Sequence, residues 1–270
     1  MKLRKEKFII DNKECIGYIS ENTQYLLIQP VDEHDIEVLD NEVAEIQKNT
    51  EKQFSLIAFK IEDWNNELSP WEAPPAFGKK SFGSGATDTL EFIKSKLIPT
   101  VKERYDFSDD DKAILGGYSL AGLFSLWSAY KLDTFFGIAA VSPSVWFNGW
   151  EEFMNNNTPL SNNIYLSLGD TEEKTKNKVM SKVGDNIRKQ EQLLKNDNIN
   201  YNEKDPSGAG DLLFSHYIVA NIIRENNMKI RIIKNMIYRN SHQLFILRDF
   251  ISNLSDNSIF SISCDLFSSK

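Results

Sequence analysis

Residues 116–127, GGYSLAGLFSLW, set Ser119 between two pairs of small residues, Gly116 and Gly117 before it and Ala121 and Gly122 after it. A serine hydroxyl attacks a carbonyl only when it is presented to the substrate and relieved of its proton. A nucleophile elbow presents it by turning the chain so tightly between a strand and a helix that the positions two before and two after the serine almost touch, where only small side chains fit. GYSLA meets that demand with Gly117 and Ala121, one methyl away from a glycine pair. The competing reading of Ser119 is an ordinary helix N-cap, a position serine favours because its oxygen can accept from a backbone amide.

The flanking elements decide which reading the sequence supports. KAILGGYS is an apolar run of strand character, and Leu120, Leu123, Phe124, Trp127 and Tyr130 recur on one face of a following helix. Strand, turn and helix are the context an elbow needs, and there the amide of Leu120 serves as one oxyanion donor. QYLLIQP (24–30), FSLIAFKI (54–61), GIAAVSP (137–143) and NIYLSLG (163–169) are short apolar runs expected of strands covered on both faces. Ile36, Leu39, Val43 and Ile46 predict a helix between the first two. A second helix is expected from Thr87 or Asp88 to Tyr105, bent or ended early by Pro99, and a third within 178–196. Residues 62–86, rich in Pro, Gly, Ser and Trp, are expected as a long loop without periodicity. Strands alternating with helices make this an α/β chain with a mostly parallel sheet and helices on both faces.

Five segments, LSPWEAPPAFG, FGSGATDTLEFIKSKLIPTVKERY, GGYSLAGLFSLW, VSPSVWF and LSLGDTEEKTKN, occur in an order that resembles an esterase family of the α/β-hydrolase superfamily, the one that includes S-formylglutathione hydrolases and siderophore esterases. The resemblance runs over about residues 15–200. It implies an α/β-hydrolase fold and a serine esterase that cleaves a carboxylic ester or thioester through an acyl-enzyme on Ser119, with no metal or organic cofactor. It also implies the chain order serine, acid, histidine.

The acid is then expected just past Gly169, where LSLGDTEEK offers Asp170, Glu172 and Glu173, and Glu172 is preferred from its place in the turn. The chain has three histidines. His34, in VDEHDIE, precedes Ser119 and suits a solvated or capping role. His242 lies in the loop RNSH between an apolar run, KIRIIKNMIY, and an amphipathic one, QLFILRDFISNL, which favours it as the base over His216 in the apolar DLLFSHYIVANII. The second oxyanion amide is expected in the loop after FSLIAFKI, from Asp63 or Trp64. Trp64, Trp71, Trp146 and Phe147 fall on loops at the same strand ends and are candidates for lining the substrate pocket, with plain packing of large aromatics as the alternative.

Residues 1–202 are read as the hydrolase core, and 203–270 as a segment expected to supply the last strand, the histidine loop and the final helix. The family follows the strand corresponding to INYN (199–202) with a tryptophan and a Gly-Asn-His-Phe-like loop, neither of which occurs here. Composition shifts at the same place: 203–270 carry 8 Lys+Arg against 7 Asp+Glu, so the acidic excess lies wholly in 1–202. The second functional reading is therefore a hydrolase-fold protein without a catalytic histidine, acting as a binding module or arising from an altered C-terminal reading frame.

A net charge of −8 opposes nucleic-acid binding, which needs clustered Lys and Arg, and points to a small-molecule partner. No apolar run reaches the length of a membrane span, and the apolar start at Phe8 is broken by Asp11 before a signal-peptide core can form, so a cytoplasmic location is expected. Cys15 and Cys264 are read as free thiols. The glycines of FGSGATD lack the lysine pattern of a phosphate-binding loop.

Overall fold

A computed structural model describes residues 2–108, 110–169 and 172–197, together with the backbone of one further strand, Asn200–Lys204. His216, His242, Asp170 and all of 205–270 lie outside the described residues. Within them, eight strands form one sheet: β1 (Arg4–Ile10), β2 (Lys13–Ile19), β3 (Tyr25–Val31), β4 (Phe54–Lys60), β5 (Lys112–Tyr118), β6 (Gly137–Val141), β7 (Asn163–Ser167) and β8 (Asn200–Lys204). Their spatial order is β1-β2-β4-β3-β5-β6-β7-β8. β1 and β2 pair antiparallel, β2 pairs antiparallel with β4, and every pair from β4 to β8 is parallel.

The hairpin of β1 and β2 turns at Asp11 and Asn12, whose φ of 47° and 67° are left-handed values that Asp and Asn tolerate better than other side chains. The parallel strands bury both faces, and successive residues alternate between two cores. Leu26, Ile28, Ile57, Phe59, Leu115, Ile138, Ala140 and Leu166 face one cluster, whereas Leu27, Leu56, Ala58, Ile114, Ala139 and Val141 face the other.

Helix α1 (Glu33–Asn49) covers the second cluster with Leu39, Val43 and Ile46. Asp32 caps it in a reciprocal box: the Asp32 carboxylate accepts from the Asp35 amide at 2.9 Å, and the Asp35 carboxylate accepts from the Asp32 amide at 3.1 Å. Such a cap is worth about 1 kcal/mol. The remaining longer helices, α3 (Ala86–Phe92), α4 (Ile98–Tyr105), α5 (Leu120–Ser128), α6 (Trp150–Asn156) and α7 (Val183–Asn196), contribute to the first cluster; a short α2 (Trp64–Glu67) follows β4.

Three expectations change. Pro99 neither ends the helix nor leaves a bare kink: a π-helical turn, Ile93–Leu97, separates α3 from α4, with the Ile98 amide donating to Ile93 O. The wider turn lets a proline without an N–H sit near the start of α4. Helix α5 is buried all round instead of on one face. Its two serines satisfy their hydroxyls locally, Ser125 donating to Ala121 O at 2.9 Å and Ser128 to Phe124 O at 2.8 Å. The stretch 62–86 is not a featureless loop, for it contains α2 and a β-bridge between Ala73 and Phe82.

Candidate active site

Ser119 joins β5 to α5 with φ 55° and ψ −116°, a backbone state costly for any residue with a side chain, of order 1–3 kcal/mol. It stands at the N-cap position, yet its side chain makes no cap hydrogen bond. The Ser119 hydroxyl lies instead 3.2 Å from the Ser144 hydroxyl. The N-cap alternative raised by the sequence therefore fails on geometry: the hydroxyl bonds no amide of the helix.

Small residues permit this turn. A Cβ on Gly117 would sit 2.6 Å from both the Ala121 carbonyl carbon and its Cβ, and one on Gly122 would sit 2.7 Å from Val141 O. Neither backbone contact can be relieved by a rotamer change. The turn is tied to the neighbouring strand end as well: Ser119 N–H donates to Val141 O at 3.0 Å, and Ser144 N–H donates to Ser119 O at 3.0 Å. Leu120, the first residue of α5, has an amide with no carbonyl to reach within the helix.

Beyond β7 the structure separates the candidate acids. Glu172 Oε1 accepts from Gly169 N–H at 3.0 Å and from the Ser142 hydroxyl, and a Cβ on Gly169 would come within 2.8 Å of that oxygen. Ser142 is itself buried, has φ 39°, and donates its amide to Ser167 O at 2.9 Å. Glu173 turns the other way, where its carboxylate meets Arg188 at 3.0 Å and lies over Gly184 in α7. Glu172 is thus directed to the loop after β6, whose Ser144 contacts Ser119, while Glu173 braces a helix. His34 is exposed on α1, with Glu37 at 3.9 Å.

The loop after β4 carries the other oxyanion candidates. Asp63 N–H already donates to Glu67 Oε1 at 2.8 Å, whereas Trp64 begins α2 and its amide has no intrahelical acceptor. The Asp63 carboxyl is held below the usual carboxylate range, first by its hydrogen bond from Lys80 at 2.7 Å. The glycines of 83–85 pack on this loop: a Cβ at Gly83 would overlap the Asn66 side chain at 1.9 Å, and one at Gly85 would meet Asn66 O at 3.0 Å. That close packing is their structural use.

The aromatics form a continuous wall. Trp71 stacks on Trp150 at 6.5 Å, meets Phe147 edge-on at 5.9 Å, and donates its indole N–H to Asn148 O at 2.7 Å. Trp146 packs against Phe82 at 6.0 Å and against Phe77 at 6.4 Å. Phe147 is fully enclosed and Trp146 nearly so, whereas Phe77 is 57% exposed. Sequence reasoning missed Phe77, Ser142 and Ser144; the segment VSPSVWF held the last two, but nothing in it distinguished their hydroxyls from turn formers.

Residues 41–209 match the family profile described as Putative esterase, which takes in well over half of the chain. The chain belongs to this esterase family. No curated protein matches it by sequence. Among solved structures, the siderophore hydrolase EstB from Aspergillus nidulans superposes with a TM-score of 0.61 at 15% identity, covering 82% of this chain and 94% of that one. The BES protein from Bacillus cereus gives 0.59 at 17% identity, with 83% and 95% covered. The enterobactin and salmochelin hydrolase IroE gives 0.57 at 13%, with 82% and 93% covered. At these identities the likeness establishes the α/β-hydrolase fold, and family membership supports an enzyme that hydrolyses esters. No described helix is long and apolar enough to cross a membrane.

Proposed function

We propose that this esterase-family chain is a serine hydrolase of carboxylic esters or thioesters that works through an acyl-enzyme on Ser119. The observation that carries the reading is the Ser119 backbone, held at φ 55° and ψ −116° between Gly117 and Ala121, with its hydroxyl turned out of the helix cap. A backbone cost of that kind persists where the surrounding structure over-determines it, which is common at nucleophiles.

In this mechanism the Ser119 hydroxyl adds to the ester carbonyl as its proton passes to an imidazole, His242 in the preferred reading and His216 in the alternative. The Leu120 and Trp64 amides receive the developing oxyanion. The imidazolium returns the proton to the departing alcohol or thiol, and a water activated by the same imidazole releases the acid. Glu172, held beyond β7 by Ser142 and the Gly169 amide, orients the imidazole. Trp71, Trp146 and Phe147 back the pocket wall, and the partner is a small-molecule ester in the cytoplasm.

Burst kinetics with a p-nitrophenyl ester test the reading. One equivalent of nitrophenol should appear ahead of the steady state in the parent, and none in Ser119→Ala. The histidine whose replacement by alanine removes the burst is the base. A parent that folds but gives neither burst nor turnover contradicts the proposal.

A further inference from the structure

Glu67 makes a set of contacts that helix formation does not require. Its Oε1 accepts from two consecutive backbone amides, Glu62 N–H at 2.9 Å and Asp63 N–H at 2.8 Å, and its Oε2 pairs with Lys13 on β2. Both side chains are about four-fifths enclosed, at 19% and 21% exposure. The Glu67 carbonyl is held too, accepting from the Thr89 hydroxyl at 2.8 Å. The Glu67 carboxylate therefore fastens the second and third residues after β4 to a strand of the sheet, while its carbonyl ties the same turn to helix α3.

We infer that Glu67 is the positioning residue of the oxyanion loop, fixing Trp64 N–H as its donor by occupying the amides of Glu62 and Asp63; this rests on the serine-esterase reading above. Three consecutive amides could compete for an oxyanion at this turn. Glu67 removes two from competition, which leaves the third as the donor. Helix α2 is a single turn with no buried residue of its own; its later residues are held by Gly83 N–H on Asn65 O and Gly85 N–H on Asn66 O, and the amides ahead of Trp64 by Glu67. A charged acceptor makes stronger bonds to backbone amides than a neutral one, and an oxyanion donor works only if it is already aimed when charge develops. Lys13 balances the Glu67 charge, so the clamp does not set an uncompensated anion beside the developing oxyanion.

A capping role alone would predict lost stability with unchanged chemistry, and the two roles separate experimentally. The rate of Ser119 modification by a fluorophosphonate, whose phosphoryl oxygen needs the same donors, should be measured for the full chain and for Glu67→Ala, Glu67→Gln and Lys13→Ala, with each thermal midpoint recorded. Glu67→Ala should slow modification at least about tenfold, a fraction of the effect of deleting a donor. Glu67→Gln, which keeps one carbonyl acceptor, should recover most of that loss, and Lys13→Ala should stay within about threefold of the parent. For ester turnover the Glu67→Ala defect should fall in kcat with KM little changed. If Glu67→Ala, still folded at the assay temperature, is modified as fast as a reactive parent, the inference is wrong. If the parent itself is unreactive, the serine-esterase reading fails instead.

Discussion

The two sides of the candidate site hold their groups by different physics. On the β5–α5 side, Ser119 is fixed by exclusion: Gly117, Ala121, Gly122 and Val141 approach so closely that only one path of the backbone is open. On the β4–α2 side, Trp64 is fixed by attraction, through the carboxylate of Glu67 and the Asp63–Lys80 pair. A steric lock fails when atoms are added, and a hydrogen-bond clamp fails when atoms are removed. Ser119, the proposed nucleophile, bears backbone strain and has the lock; the proposed donor loop, which needs only aim, has the clamp.

The contrast is broken most severely at the lock. Gly117→Val should destabilise the fold by about 3 kcal/mol or more, since its Cβ meets backbone at 2.6 Å, and should appear as insoluble protein or a large drop in thermal midpoint. Activity should be lost with the fold, and no change of salt should restore it.

A second test lies between lock and clamp. Ser142→Ala removes the hydroxyl that donates to Glu172 Oε1 and keeps the Gly169 amide on that oxygen. Ester turnover should fall about tenfold, consistent with the loss of one hydrogen bond to a charged group, while the thermal midpoint moves little. Ser142→Thr, which keeps a donor, should retain more activity than Ser142→Ala.

The packing behind the lock carries its own pH signature. Tyr130, just past α5, is buried and accepts from Gln190 Nε2 at 2.7 Å; burial pushes its hydroxyl up from 10.0 to about 12. Its folded pKa lies above the unfolded one, so its share of stability is complete below pH 10 and is lost as pH rises through about 12. Alkaline unfolding should thus be less steep in Tyr130→Phe, as followed by circular dichroism across that range.

The smallest effect is expected at the rim of the clamp. Lys80 lowers the Asp63 pKa, so that contribution is present above the ordinary carboxylate value of 3.8 and fades as pH falls through the lower folded value. Lys80→Ala should bring the Asp63 titration, followed by NMR, back up toward 3.8 with almost no change in midpoint, because Asp63 is 46% exposed and water screens the pair.

How much of this was legible beforehand follows from the same division. The lock is local: Gly117, Ala121 and Gly122 lie within three residues of Ser119, and a steric demand of that range is written in consecutive letters. Strands β3 to β7 and α1 were legible for a similar reason, since apolar runs and the three- and four-residue recurrence of Leu39, Val43 and Ile46 are short-range signals, whereas the more polar hairpin of β1 and β2 went unread. The clamp is not local. Lys13 and Glu67 are 54 residues apart and meet only because β2 pairs antiparallel with β4. Likewise, the difference between Glu172 and its neighbour Glu173 depends on Ser142 and Arg188, which the fold brings to opposite sides of one turn. Helix α5 was read as one-faced from the recurrence of Leu120, Leu123, Phe124, Trp127 and Tyr130, whereas its serines turn their hydroxyls back onto helix carbonyls and remain buried too.

If the strained turn presents Ser119 as an activated nucleophile, peptide mapping after treatment of the full chain with a fluorophosphonate should find one equivalent of adduct, located on the Ser119 peptide and missing from Ser119→Ala. A folded protein that takes up no adduct at Ser119 would contradict it.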